Sequence, residues 1–385
     1  MNILSIGYTK DLLDDKDASD TKERMSYYST YLSNYYVIVH TLKKDGFQQR
    51  MIGNNFEVIP SNGWNSLHSF LRILKIGVGI CKNRQIHVIQ AQDPIFTGLA
   101  AYFIARWFRI PLNVTVYGTN PYDSGWLSES LKNRLVAFIS RYILGKVDAI
   151  QVDGTKTQTI LSNHLRNSKR IYLKPLIPPD SALFYNACGE SVRKEILQLQ
   201  FKKIVLFVGR LEKQKNLYLY LDAVYEIIED GFANVLFLII GDGSEREGLR
   251  RKTRQLNIEA NLRWIPYVKR SLLPSYYAAC DVLVLPSLYE GFARVLMEAA
   301  MAGRPIVTTD VSGADDIIVN GESGFIVPIN NKDELKKKVL VLLNDEYLAK
   351  RMGEEARNMM RKKYDYEILL RKQIEIWSEL AGNPS

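Results

Sequence analysis

The sequence predicts an α/β protein built from two doubly wound parallel-sheet domains that face each other across a cleft. Three observations carry that expectation: short runs rich in Val, Ile and Leu that barely alternate, helical patterns between successive runs, and a proline-rich break near mid-chain. Strands buried on both faces read as continuous apolar runs, and repeated strand–helix–strand units build parallel sheets. At 385 residues the chain exceeds one compact core and fits two domains of about 150–200 residues each.

In the first half, residues 3–6, 36–41, 56–59, 86–90, 112–116 and 149–152 read as strands. The second half adds 204–208, 235–240, 262–265, 282–285, 306–309 and 324–327, with helical stretches such as 217–229 and 244–256 between them. Three prolines within residues 174–180 end regular structure and mark a linker. The expected organisation is an N-terminal domain over 1–180 and a C-terminal domain over 195–365. An amphipathic helix over 366–381 is expected to pack back and join the first domain. Ligands of open parallel sheets bind beyond the carboxyl ends of the strands, so the loops there are where chemistry is sought.

Composition narrows the class. No run of 18 apolar residues occurs, and residues 1–6 lack the pattern of a secretory signal. Three cysteines, far apart and odd in number, argue against a disulfide framework or zinc site. A cytoplasmic protein, peripheral at most to the inner face of the cell membrane, is expected. The net charge is +9; residues 1–190 hold 22 Lys and Arg against 15 Asp and Glu, the remainder 29 against 27. A basic first half suits a phosphate-bearing acceptor, an anionic membrane surface or nucleic acid, although solvated surface lysines give the same balance. Nucleic-acid motifs are missing, so no nucleic-acid partner is expected. No strand leads into a GxGxxG turn, which disfavours a dinucleotide-dependent oxidoreductase.

Three loops of the second half carry suggestive residues. After the strand at 204–208 comes Gly209-Arg-Leu-Glu-Lys-Gln-Lys-Asn216, where glycine allows a sharp turn and Arg210 and Lys215 offer cations. A guanidinium grips phosphate through two parallel hydrogen bonds; an ammonium acts as a compact charge. Gly241-Asp-Gly-Ser-Glu245 either approaches a ligand or is a tight turn. The third loop is Ser287-Leu-Tyr-Glu-Gly-Phe-Ala-Arg-Val-Leu-Met-Glu298. A helix starting near Phe292 or Ala293 would point free N–H groups at an anion such as a diphosphate. Glu298 then lies about 7 Å along the axis at ~1.5 Å per residue, comparable to the span of a diphosphate. One carboxylate, Glu290, can face a sugar while the other reaches a ribose, since both accept from hydroxyls.

Here the segment 209–327 resembles the donor-binding half of the family-4 retaining glycosyltransferases, which have the GT-B fold of two Rossmann-like domains. Glu290 and Glu298, with seven residues between them, match that family's paired glutamates, with Pro286-Ser, Glu290-Gly-Phe, Glu298-Ala and Ala302-Gly-Arg-Pro-Ile-Val307 around them. Gly209-Arg-Leu with Lys215-Asn matches its diphosphate loop, and Gly241-Asp-Gly a neighbouring glycine loop. The likeness is weaker over the first half. The resemblance implies that Arg210 and Lys215 hold the diphosphate and that Glu290 contacts donor-sugar hydroxyls, helped by backbone groups of Gly291, Phe292 and Ala293. It further implies phosphate contact by the amides of Val295 and Leu296, ribose contact by Glu298, and base contact by Tyr267 and Val268.

The implied activity is a retaining, metal-independent hexosyl transfer from a nucleotide diphosphate-sugar to a hydroxyl, in cell-surface polysaccharide or glycolipid synthesis. No cofactor is expected beyond that donor; the acceptor would be a glycan or a lipid-linked glycan. Arg24, Tyr117 and Gln92 are the candidate acceptor-side or sugar-side residues. Tyr117 stands where the family usually has histidine; it still donates a hydrogen bond but carries no charge switch near neutral pH. Asp15-Lys-Asp17, the triplet that elsewhere marks metal sites, lies far from the donor loops and reads as an acidic loop. The four histidines show no metal-ligand spacing. Two rivals remain at this stage: a nucleotide-sugar epimerase on the same architecture, and an inactive nucleotide-sugar-binding partner, for which Tyr117 is the argument.

Overall fold

A computed structural model describes residues 1–14, 20–118, 120–122, 124–165, 170–175, 181–197 and 200–382. The chain divides into two compact units, Met1–Ile177 with Tyr366–Ser385, and Pro178–Asp365. The proline-rich stretch from 176 to 180 and the triplet at 15–17 lie outside the described residues.

The first unit holds β1 (Asn2–Gly7), β2 (Asn34–Val39), β3 (Arg50–Ile52), β4 (Phe56–Pro60), β5 (Val88–Ala91), β6 (Leu112–Val116), β7 (Ala149–Val152) and β8 (Arg170–Leu173). They form one sheet in the order β3-β4-β2-β1-β5-β6-β7-β8. Every pairing is parallel except β3 on β4, which is antiparallel. The two strands that the sequence pattern misses, β3 and β8, are its edges. Edge strands are covered less completely, so Arg50 and Arg170 are tolerated and no continuous apolar run betrays them.

The second unit holds β9 (Lys203–Val208), β10 (Val235–Ile240), β11 (Leu262–Ile265), β12 (Val282–Leu285), β13 (Ile306–Thr309) and β14 (Phe325–Val327). Their order is β11-β10-β9-β12-β13-β14, all parallel. Every residue of β10 and β12 is buried, which is why these strands read as unbroken apolar runs. In both sheets the first strand sits in the interior and the order reverses beside it, between β1 and β5 and between β9 and β12. The crevice at such a reversal is where open parallel sheets bind ligands.

The final helix, Tyr366–Leu380, belongs to the first unit. Its Trp377 is buried against Tyr28 and Tyr35, with ring centroids 5.4 and 5.7 Å away. Its indole N–H donates to Gln90 Oε1 at 3.1 Å. Ser130 separates the helices Ser124–Glu129 and Leu131–Leu144; its side chain accepts from the Asn133 N–H and starts the second of them.

Candidate active site

Because β9 and β12 are parallel neighbours, the loops after them, residues 209–216 and 286–293, leave the sheet side by side. The Leu288 N–H donates to Gln214 O, and Gln214 Nε2 to Tyr289 O, each at 2.8 Å. In the first loop Lys213–Lys215 makes one 3-10 turn, closed by Asn216 at φ 53°. That turn folds Lys215 inward until it is 9% exposed. Its Nζ donates to Glu290 Oε1 at 2.5 Å, and Ser287 Oγ donates to the same oxygen at 2.5 Å. Gln214 Nε2 lies 3.4 Å from Oε2. The buried carboxylate is thus paired and hydrogen-bonded, as burial demands. An ammonium has three N–H groups, so Lys215 keeps donors for a second oxyanion. Arg210 is exposed and its guanidinium has no hydrogen-bond or ion-pair partner among the described residues.

The helix Arg294–Met301 follows the second loop with no side-chain cap at Ala293. Within its first turn the Leu296 N–H donates to Ala293 O at 2.9 Å and the Arg294 N–H to Phe292 O at 2.8 Å. The amides of Gly291, Phe292, Ala293 and Val295 have no acceptor among the described residues, so they, and not that of Leu296, are the ones left for an anion. The Phe292 side chain is buried on Gly313, where a Cβ would come within 3.0 Å of its ring. Packing occupies that ring; only its backbone faces the loop chemistry.

Glu298, the fifth residue of this helix, is also buried. Its Oε2 accepts from the Tyr277 hydroxyl at 2.7 Å and its Oε1 from Arg270 at 3.4 Å. Burial, reinforced by the Glu298 charge, holds the Tyr277 pKa well above the ordinary phenol value, so it stays a donor. Neither partner was picked out from the sequence. Tyr277 sits in the short helix Leu273–Ala279 and reads as core. Arg270 gives one faint signal, a cation two residues past Val268 in the loop after β11. On the same loop Tyr267 is exposed.

Tyr277→Phe tests how Glu298 is held. Hydrogen bonds to charged groups contribute roughly 1.5–3 kcal/mol; if Glu298 holds the ribose, as the family resemblance implies, the loosened carboxylate is expected to raise the donor KM about tenfold with kcat little changed. An unchanged KM would place the ribose contact elsewhere.

The glycines explain how the loops meet. The Gly209 N–H donates to Ile240 O and the Gly241 N–H to Ile265 O, continuing the ladders beyond the strands. A Cβ on Gly241 would lie 1.8 Å from Gly209 O, and one on Gly243 would lie 2.5 Å from Leu211 O. The close approach these glycines allow is therefore between backbones of neighbouring loops.

In the first unit, Gln92 bridges the loops after β1 and β5. Its Oε1 accepts from the Tyr8 N–H at 2.8 Å and its Nε2 donates to Thr9 Oγ1 at 2.9 Å. Gly7 leaves room for the amide, which a Cβ there would meet at 2.2 Å. Tyr117, half-exposed at the end of β6, and Arg24, on the helix Asp20–Thr30, line one cavity of this unit. Among the described residues no three His, Cys, Asp or Glu are placed to hold a metal ion.

Two α/β sheets, the second with a lysine–glutamate pair and a further buried glutamate near its reversal point, make up the GT-B fold. Residues 190–359 match the profile of the glycosyl transferases group 1. An uncharacterised glycosyltransferase of Methanocaldococcus jannaschii is 26% identical over 348 residues, covering 89% of this chain and 90% of that one. The capsular polysaccharide biosynthesis glycosyltransferase CapM of Staphylococcus aureus is 25% identical over 358 residues, 89% and 88% of the two chains. Among solved structures, sucrose-phosphate synthase of Thermosynechococcus elongatus superposes with a TM-score of 0.82 over 99% of both chains at 16% identity, a likeness of fold. Over residues 190–359 the chain thus carries the group 1 glycosyltransferase pattern, and along most of its length it is similar to glycosyltransferases.

Proposed function

We propose that the protein transfers a hexose-type sugar from a nucleotide diphosphate-sugar to a hydroxyl of a glycan or lipid-linked acceptor, with retention of anomeric configuration. The setting is cell-surface polysaccharide or glycolipid synthesis, at the cytoplasmic side of a membrane. The observation that carries this reading is the contact of Lys215 with Glu290 between the two loops at the β9/β12 reversal. It sets a phosphate-seeking ammonium beside a hydroxyl-seeking carboxylate. The resemblance of the chain to a capsular polysaccharide glycosyltransferase supports the setting.

In this reading Arg210, Lys215 and the amides of residues 291–293 and 295 receive the diphosphate. As the sugar–phosphate bond breaks, negative charge grows on the leaving oxygen. Donors fixed in advance where charge develops are the largest single source of rate acceleration in many enzymes. Glu290 accepts from sugar hydroxyls and Glu298 from the ribose. The acceptor hydroxyl attacks on the face the diphosphate is leaving and gives its proton to that diphosphate. Donor identity is read by melting temperature against UDP-, GDP- and ADP-sugars, since a ligand at a hundred times its Kd stabilises by about 2.7 kcal/mol. Stabilisation by none of them overturns the donor site; isomerised sugar formed without an acceptor favours an epimerase instead.

The first unit supports a membrane-facing role. Its neighbouring helices Ser66–Asn83, Phe96–Phe108 and Leu131–Leu144 expose Leu67, Leu71, Phe103, Trp107, Leu131 and Phe138 beside Lys75, Arg106, Lys132 and Arg134. Leu131 and Trp107 are 80% and 77% exposed, and no described helix is long and apolar enough to cross a membrane. Apolar tips ringed by cations suit an interfacial surface of anionic lipid. Co-sedimentation with phosphatidylglycerol vesicles at low salt is expected to fall about tenfold or more in a Leu131→Glu, Phe138→Glu variant, since each buried CH₂ contributes ~0.8 kcal/mol. Equal binding by that variant rules this face out.

A further inference from the structure

The cavity of the first unit shows what kind of group its acceptor carries, granted that this unit is the acceptor half. Its walls include Arg24, Tyr28, Tyr117, Lys174 and Gln373, and among the described residues no Asp or Glu lines it. Its free volume is about 70 Å³. Roughly 10–15 Å³ of such space holds one water, so it takes about five heavy atoms, the size of a phosphate group.

Two polar atoms on that wall have no partner although their residues are only 4% exposed: the Tyr28 hydroxyl and Gln373 Nε2. The orientation of the Gln373 amide follows from elementary chemistry. An indole N–H only donates, so the group Trp377 touches on Gln90 is its oxygen. Asn113 must then present its NH₂ to that oxygen, 2.8 Å away, and to Gln151 Oε1 at 3.1 Å. Gln151 Nε2 is left to donate to Gln373 Oε1 at 3.0 Å. The relay ends with the Gln373 NH₂ as an unused donor. Asn113 Oδ1 is unpaired too, but Asn113 does not line the cavity.

The wall therefore presents an ammonium, a guanidinium, a hydroxyl and an amide NH₂, all able to donate, with no carboxylate among them. Lys174 Nζ lies 5.7 Å from the Tyr28 ring centroid. A ligand rich in acceptor oxygens and carrying negative charge complements such a wall. We propose that this cavity is an oxyanion subsite that takes a phosphate monoester borne by the acceptor. Burial, aided by the nearby Arg24 charge, pulls the Lys174 pKa down to about 7; an anion between them supplies the charge that keeps the ammonium protonated. A buried ammonium beside two unsatisfied donors costs stability unless something binds there.

The test is calorimetric titration of the full chain with glycerol 3-phosphate, inorganic phosphate and neutral glycerol. Wild type is expected to bind both phosphates and to ignore glycerol. Lys174→Met should weaken the phosphates at least tenfold, and Lys174→Arg should keep most of the affinity. Tyr28→Phe, which deletes a hydroxyl with no bond in the fold, should weaken binding several-fold without lowering the melting temperature, and it serves if Lys174→Met folds poorly. Arg210→Met should leave phosphate binding intact while losing UDP binding, and Lys174→Met the reverse, so a failure here is told apart from a failure of the donor reading. Phosphate binding kept in both Lys174→Met and Tyr28→Phe, or lost in Arg210→Met, overturns the proposal. Binding confined to inorganic phosphate marks a free-ion site and overturns the assignment to the acceptor.

Discussion

Glu290→Ala is expected to lower kcat about a hundredfold or more, the scale on which loss of one preorganised polar contact acts at a reacting centre. In the proposed reading, the substitution removes the acceptor for sugar hydroxyls. It also strands Lys215, whose Nζ now meets Glu290 at 2.5 Å from a largely buried position. Breaking a buried pair from one side leaves an uncompensated charge, which typically costs about 3–5 kcal/mol. Lys215 retains slight exposure, so a smaller loss is expected, seen as a melting temperature lower by several degrees. Glu290→Gln separates the two effects. It keeps an acceptor oxygen for Ser287 and Lys215 and preserves the loop, yet loses the charge that orders the site. The expected ranking of turnover is wild type, then glutamine, then alanine, with glutamine close to wild type in melting temperature. Steady-state kinetics with the donor found in the melting screen decide it. Full turnover in both variants would move the sugar site away from Glu290.

Gly241→Ala is expected to have the largest effect on stability. Its φ of 146° lies where L side chains are rarely found, and the added Cβ would sit 1.8 Å from the Gly209 carbonyl oxygen. Neither can be relieved by a rotamer change, because the clash is with backbone and the strain is in the backbone. Conformations of this kind cost of order 1–3 kcal/mol, and the overlap adds the cost of parting the loops after β9 and β10. Loss of donor binding is expected along with a melting temperature lowered by about 5–10 °C, taking ~2–4 °C per kcal/mol for a unit of this size. Gly291→Ala is the internal control for the fold: its φ is not positive and nothing lies within 4 Å of the added carbon. That variant should melt like wild type, so any loss of turnover reports contact with ligand. Gly241→Ala melting like wild type would mean that the two loops do not meet as described.

Much of the architecture was legible because it is written locally. A strand buried on both faces tends to be apolar at every position, and β10 and β12 announce themselves at their observed bounds for that reason. The helices Leu217–Glu229 and Tyr366–Leu380 show their apolar stripe in the same way. The edge strands β3 and β8 lack that constraint and pass unseen. In the site, the residue types of the β9 and β12 loops pointed to phosphate and hydroxyl chemistry before any coordinates. That the Lys215 ammonium rests on the Glu290 carboxylate did not follow, since the two lie 75 residues apart and only the β9/β12 pairing joins their loops.

The sequence by itself determined the α/β class, the run of parallel strands and the chemical kinds gathered in the donor loops, because each depends on residues close together in the chain. The tertiary structure alone decided which side chains are partners: Tyr277 and Arg270 for Glu298, and the amide relay that leaves the Gln373 NH₂ unpaired in a cavity also lined by Tyr28 and Lys174. Hydrogen-bond partners and unmet donors are set by strand order and packing across long separations, and no local pattern encodes them.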